Sequence, residues 1–290
     1  MSSKLILSLC MAVFGTVPLF IRLIPLGSAE IALWRAVLAG VCILVYLTVG
    51  RKRVRLSDFK GKAGLLLLSG AAMGVNWVLL FESYRHTTVS VATLVYYMAP
   101  VFVTAASAAL LREKITRFQA ACMGLVLLGL VFIVNPTGSG GATAGLGILL
   151  ALGSAVLYAT VIMLNRMIRG VPGVQRTLLQ FGAAIVVLLP YVLLGGGLGI
   201  ASIGVQGLLA LATLGALHTG LCYCLYFTAI QSMRGREIAI LSYIDPLVAV
   251  LLSALFLKEP FTPLQALGGV MILLFTFLSE RGSLKTAKRG

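Results

Sequence analysis

Charge is scarce in this 290-residue chain: 11% of the residues are charged, and only eight of them are acidic. There are two histidines and two tryptophans, and the aspartates are Asp58 and Asp245 alone. A soluble globular domain carries roughly 25% charged and about 45–50% apolar residues, whereas 60% of this chain is hydrophobic. A soluble enzyme or an ordinary binding domain is therefore excluded. So is a disordered chain, which needs dense charge and few apolar residues. The chain also lacks the clustered aspartates that a metal-dependent lipid transferase needs, and it contains no HExxH, GxSxG or Walker A pattern. No enzyme, metal site or cofactor is expected on these grounds. The five cysteines, an odd number, all lie inside apolar runs. Cys222 and Cys224 would point apart on a helix and make a poor clamp. All five read as small core hydrophobes.

Long apolar runs fill the space left by charge. A bilayer core takes about 20 apolar residues per helix. Runs at 5–20, 29–49, 63–83, 89–111, 118–134, 144–164, 174–194, 205–230, 237–257 and 263–279 predict ten spans. The start, MSSK before an apolar run, has the outline of a signal peptide but no small-x-small cleavage site. It is read as a first span that stays in place. With the N-terminus inside, 19 of the 23 basic residues fall on the inner side and three on the outer side, while Arg35 lies within a span. That asymmetry puts both termini in the cytoplasm. It also explains the net charge of +15, which meets anionic lipid. No loop interleaves basic residues with aromatics, so no nucleic-acid partner is expected.

The chain repeats itself. A shift of 146 residues sets Gly74 on Gly220, Tyr97 on Tyr243, Pro100 on Pro246 and Ser107 on Ser253. It also sets Arg112-Glu113 on Lys258-Glu259, Thr116 on Thr262 and Gln119-Ala120 on Gln265-Ala266. Chance matching of apolar residues does not produce paired Glu, Gln, Thr and Pro at one offset. The reading is a first five-span repeat over 1–136, a linker over 137–144 and a second repeat over 145–290. An odd number of crossings turns the second repeat upside down. Inverted repeats of this kind enclose a mid-membrane site in many secondary transporters. Pro100 and Pro246, each near mid-span, predict paired kinks.

The stretches TVSVATLVYYMAPVFVTAASAALLREKIT, from Thr88, and EIAILSYIDPLVAVLLSALFLKEPFT, from Glu237, resemble the EamA-type members of the drug/metabolite transporter superfamily. Each has an apolar stretch, a mid-helix Pro and a Glu closing the next turn. Arg35 and the SYRHTTVS stretch also fit. That family often carries an acid before the proline; Asp245 matches this, and Ala99 departs from it. The resemblance covers nearly the whole chain and does not specify a substrate. It implies a ten-helix monomer in the cytoplasmic membrane of a prokaryote, exporting amino acids, other metabolites or small drugs. A channel, a lipid flippase and, further off, an intramembrane enzyme are the alternatives.

Ionisable groups inside a bilayer are functional candidates by default. Asp245 and His218 fall near mid-depth and could form a proton relay, an ammonium clamp or a mere tie between spans eight and nine; the proton is the candidate coupling ion. At helical spacing, His218 and Asn76 fall on symmetry-related faces and are expected to wall a cavity. Arg35 and Glu82 could close a salt bridge between spans two and three, as a gate or as a staple. Trp77, Tyr84, Tyr97, Tyr158 and Tyr243 could supply an aromatic wall for an apolar body or a cation. Gly70 and Gly74 form a small-residue face suited to close helix packing. The substrate would bind between spans three, four, eight and nine.

Overall fold

A computed structural model describes residues 2–51, 59, 61–134, 143–168, 170–259 and 262–286, with the side chains of 235, 236, 239 and 281–286 excepted. Residues 137–142 of the expected linker lie outside that set, as do Asp58 and the basic residues Lys52, Arg53, Arg55, Lys60, Arg169, Lys288 and Arg289. The described residues form helices and no strand. In chain order these are α1 (Ser3–Gly15), α2 (Val17–Arg22), α3 (Ser28–Val49), α4 (Ala63–His86), α5 (Val89–Tyr96), α6 (Ala99–Leu111) and α7 (Arg117–Val134). Then follow α8 (Ala144–Met167), α9 (Gly173–Leu194), α10 (Gly204–Ala212), a π-helical segment (Thr213–Leu221), α11 (Cys222–Ile230), α12 (Gly235–Ser242), α13 (Ile244–Phe256) and α14 (Pro263–Thr286).

Among the described residues, nine helical stretches are long and apolar enough to cross a bilayer, and a further apolar helix, Ile240–Phe256, is shorter. The apolar Leu, Val and Phe side chains on their outer faces, such as Leu110, Leu194, Leu255 and Phe256, are exposed. Outward apolar side chains of this kind meet lipid tails without cost. The chain is a multi-pass membrane protein.

Local chemistry explains where helices begin. Thr116 and Gln119 satisfy each other's backbone N–H groups at 2.9 and 3.2 Å, and Thr262 and Gln265 do the same at 3.0 and 3.2 Å. The Thr and Gln that match across the repeat are thus two copies of a capping box, one opening α7 and the other α14. Thr88 caps α5 by accepting from Val91 N–H at 3.2 Å.

Four spans are interrupted. Span one breaks at Thr16, before Pro18. Span four breaks at Tyr97–Met98, with Pro100 in the first turn of α6, and span nine breaks at Tyr243, with Pro246 in the first turn of α13. The expected proline kinks are therefore full breaks. Proline lacks the N–H that would continue the ladder, and it suits the first turn of a new helix. Span eight is interrupted by the π-helical turn.

Helices from the two ends of the sequence interlock. Span one packs along α11, α12 and α13, while α8 packs against α4, α5 and α6; α7 pairs with α14, and α3 with α9. Glycine sets the closest approaches. A Cβ on Gly15 would stand 2.6 Å from the carbonyl oxygen of Asp245. One on Gly268 would stand 2.5 Å from Gly129 O, and one on Gly129 2.8 Å from Gly268 O. Gly70 abuts the Gln180 backbone and Gly74 abuts Ala184, so this small-residue face does receive α9.

The helix termini gather at two ends of the bundle. At the end bearing the N-terminus, Lys4 pairs with Glu237 at 2.7 Å, and Ser3 meets Ser232 at 2.8 Å. At the opposite end, Ser28 donates to Glu82 at 2.6 Å, Arg85 donates to Leu26 O at 3.1 Å, and Glu30 accepts from Gly199 N–H at 2.7 Å.

Replacing Gly268 by leucine should wedge α14 from α7 and lower stability by about 1–3 kcal/mol, the usual cost of overpacking. Thermal denaturation of the purified protein in detergent checks this; an unchanged midpoint would show that the two backbones do not touch.

Candidate functional site

The interrupted spans converge on one region. Asp245 sits in the first turn of α13, where the helix dipole favours an anion. Its Oδ2 accepts from the Tyr97 hydroxyl at 2.7 Å, which bridges the breaks of spans four and nine. The Tyr97 ring lies 6.5 Å from that of Tyr243 and 6.1 Å from that of Tyr96, and Tyr96 lies 5.3 Å from Tyr158. These rings are incompletely covered: Tyr96, Tyr97, Tyr243 and Asp245 are half-buried, and Tyr158 is 40% exposed although it belongs to the same cluster. The cluster is therefore incompletely covered rather than a filled core.

Arg35 supplies the opposite charge. It is buried, and its Nε donates to Thr219 at 2.7 Å. Its guanidinium lies 4.3 Å from the Trp77 ring centroid and 5.6 Å from that of Phe81. A cation over a ring face gains roughly 0.5–2 kcal/mol, more when water is excluded. The ring series continues from Trp77 through Phe181 to Tyr223, at 5.5 and 5.8 Å. Among the described residues, neither Arg35 nor Asp245 has an ion-pair partner within 4.0 Å. Tyr84, on α4, is buried. A buried charge without a counter-ion is costly, and here two groups of opposite sign each sit beside aromatic rings.

Three sequence expectations need correcting. Arg35 and Glu82 do not pair: Glu82 accepts from Ser28 and lies 3.3 Å from His86 and 3.9 Å from Arg85, at the mouth of the bundle. Arg35 is taken instead by Thr219 and the rings. Asn76 does not wall a cavity: it is 1% exposed and donates to Ser154 O at 2.6 Å and to Ser154 Oγ at 2.9 Å, while Ser154 Oγ donates to Asn76 O at 3.0 Å. This mutual lock clasps α4 to α8.

Nor does His218 meet Asp245. It is 1% exposed, with Nε2 2.7 Å from Thr16 Oγ1 and Nδ1 3.1 Å from Thr213 O. The ring of Phe20 covers it at 4.6 Å. Nδ1 faces a carbonyl oxygen and so carries a hydrogen, while Thr16 Oγ1 lies 2.7 Å from both Nε2 and Val13 O with one hydrogen for the two. The π-helical turn is the cause. Its wider i→i+5 spacing shifts every later side chain around the helix axis, so arithmetic at 3.6 residues per turn fails from Thr213 onward. The same turn aims Thr219 at Arg35. Thr16, Thr219, Ser154, Phe81 and Phe181 had escaped notice because each is uncharged and sits in an apolar run.

Pro100 and Pro246 bear on the site indirectly by placing the breaks. Of the expected aromatic residues, Tyr97, Tyr158 and Tyr243 join one ring cluster through Tyr96, while Trp77 and Tyr84 are buried. Among the described residues, no three His, Cys, Asp or Glu side chains gather into a metal-binding group. Among the described residues the cysteines form no disulfide, and the Cys10 thiol donates to Cys222 O at 3.7 Å.

A polytopic helix bundle with broken spans around a polar, aromatic mid-section defines the class of membrane transporters. The chain belongs to the EamA-like transporter family, which matches it twice, over residues 2–135 and 145–280, and with it to the drug/metabolite transporter superfamily. It is 28% identical to a Bacillus subtilis protein described as the uncharacterized transporter YxxF, across 99% of this chain and 92% of that one. It is 30% identical to an Archaeoglobus fulgidus transporter over 68% of this chain and 69% of that one. It is 25% identical to the RarD protein of Streptomyces exfoliatus over 95% and 87%. A crystal structure superposes with a TM-score of 0.67 at 17% identity, covering 96% of this chain and 98% of its own, and so shares the fold.

Replacing Asn76 by alanine should strand the Ser154 groups and cost about 1–3 kcal/mol. Melting should fall while the KM for any transported solute stays within twofold of the parent. A KM that rises strongly with unchanged melting would return Asn76 to the cavity wall.

Proposed function

We propose that this protein is a secondary transporter that carries a small organic solute through a chamber between Arg35 and Asp245. The solute class that suits the chamber bears a cationic group, an anionic group and an apolar body, as an amino acid does. The tyrosines and Asp245 receive the cation, and Arg35 receives the anion. The observation that carries this reading is the pair of opposite charges, each without an ion-pair partner among the described residues: Arg35 over the buried rings of Trp77 and Phe81, and Asp245 beside the half-buried tyrosines. A solute with both charges would supply the missing partners, which offsets the cost of burying them. No group here is set up for catalysis, and we read the chain as a carrier rather than an enzyme.

The mechanism we infer is alternating access by two inverted five-span repeats, 1–136 and 145–290, joined by 137–144. Support comes from the matched capping boxes, the matched breaks at Tyr97 and Tyr243, and the interlocked packing of span one on α11–α13 and α8 on α4–α6. We assign both termini to the cytoplasm of a prokaryotic cell and the protein to its cytoplasmic membrane, as a monomer, from the basic residues and the resemblance. Outward transport follows from the same resemblance, with the proton as the candidate coupling ion at Asp245.

Purified protein in liposomes, given labelled amino acids or cationic drugs with and without a pH gradient, tests the proposal. Asp245→Asn should abolish gradient-driven accumulation while leaving solute exchange, because an amide binds but cannot take a proton. Arg35→Gln should raise KM at least tenfold for solutes with a carboxylate and much less for simple cations. Uphill transport unchanged in Asp245→Asn would reject Asp245 as the coupling group; equal KM changes for both solute classes would reject the anion role of Arg35.

A further inference from the structure

The carboxylate of Glu259 ties three helices together at the end of the bundle opposite the N-terminus. Its Oε1 accepts from Arg22 Nη2 at 2.9 Å, at the close of α2. Its Oε2 accepts from the Ser253 hydroxyl at 2.5 Å and from the backbone N–H of Val89 at 2.7 Å. Val89 opens α5, so the carboxylate also satisfies a helix N-terminus, where an anion is favoured. The Glu259 side chain is 13% exposed. The turn that delivers it is built by Lys258 at φ 51°, which returns the Glu259 N–H to Ser253 O at 3.5 Å.

The same device exists at the other end, made from the matching residues of the other half. Ser107, Arg112 and Glu113 stand 146 positions before Ser253, Lys258 and Glu259. Arg112 turns at φ 55°, and the Glu113 N–H returns to Ser107 O at 3.3 Å. Arg166, near the end of α8, takes the place that Arg22 has at the end of span one. Yet this copy is undone. Arg166 Nη1 donates to Ser107 Oγ at 2.9 Å and stands 3.8 Å from Glu113. Glu113 is 59% exposed, and among the described residues it reaches no helix start. The packing differs in the same sense: α5 lies along α13, but among the described residues α12 and α6, the pair in the corresponding position, have no comparable packing. The Lys4–Glu237 pair does not substitute, because it joins α12 to α1, on which α12 already packs.

We propose that Glu259 and Glu113 are paired latches of the transport cycle, one closed while the other is open. Glu259 seals α5 and α2 to the end of span nine. Glu113 would seal α12 and α8 to the end of span four in the opposite state. The state described is sealed at the Glu259 end and open toward the N-terminal end. This rests on the inverted-repeat reading above. Both carboxylates are positioning residues: they touch helices, not solute. The shared chemistry is a carboxylate that exchanges water for a guanidinium, a hydroxyl and a helix N–H, and such charge-assisted bonds are strong enough to set a two-state balance.

The test uses the full-length protein in lipid nanodiscs, with no solute present. Val89→Cys, buried in the sealed end, and Ile240→Cys, exposed on α12, report separately on the two ends by their rate of reaction with a polar thiol reagent. The rate of the chain without a reporter is subtracted to remove the native cysteines. Glu259→Gln should raise labelling at residue 89 about tenfold and lower it at residue 240, the size expected for a lost charged hydrogen bond. Arg22→Ala keeps the helix cap yet breaks the same latch, and should act in the same direction. Adding Glu113→Gln to Glu259→Gln should reverse the shift. Faster labelling at both reporters would mark Glu259 as a plain staple and overturn the proposal. So would rates within twofold of the parent in both Glu259→Gln and Arg22→Ala, or a double variant that fails to reverse. No solute enters this measurement, so its outcome is independent of the flux experiments.

Discussion

A backbone polar group in hydrocarbon must be satisfied by protein or water, and this constraint governs the centre of the molecule. Four spans are interrupted there, and each interruption releases groups that need partners. The breaks answer one another. The Thr16 break of span one receives His218 from the π-helical turn, and the turn sends Thr219 to Arg35. Gly15, beside that break, admits the Asp245 backbone, and Asp245 in turn holds Tyr97 at the break of span four. The breaks of spans one and eight thus meet through His218, and those of spans four and nine through Asp245 and Tyr97.

That pairing of breaks explains why charge can be so sparse. Arg35 and Asp245 do not pair and are stabilised locally, one by cation–π contacts and a threonine, the other by a tyrosine hydroxyl and a helix start. At the bundle ends, where water can compensate, the ionic contacts are denser and unequal: Glu259 is enclosed while its counterpart Glu113 is exposed. The inequality between two chemically matched sites is what a two-state machine caught in one state displays.

Most span limits were readable from apolar runs, because a bilayer imposes a length and a composition. Paired Pro100 and Pro246 foretold the breaks, and the matched Thr and Gln turned out to be capping boxes, a local pattern that needs only three residues of spacing. Tyr97, Tyr158 and Tyr243 lie in one half-covered ring cluster with Asp245, and Trp77 lies under Arg35. Asn76, His218 and Glu82 did not behave as expected. Asn76 found a serine on α8 that no periodicity connects to it. His218 was turned by a π-helical insertion, which apolar spacing does not announce. Glu82 lay close enough to the bundle end to find Ser28, Arg85 and His86.

What the sequence determined by itself is whatever depends on one residue and its near neighbours: which segments partition into lipid, where prolines stop a helix, which end of each span collects basic charge, and which short patterns recur in both halves. The tertiary structure decided which lone polar groups became partners. Partnership between spans depends on helix rotation and on approach distances that glycines permit, and a single π-turn changes the rotation of everything after it. Two residues identical in type and position within their repeats, Glu113 and Glu259, thereby meet different fates, because their surroundings come from different helices.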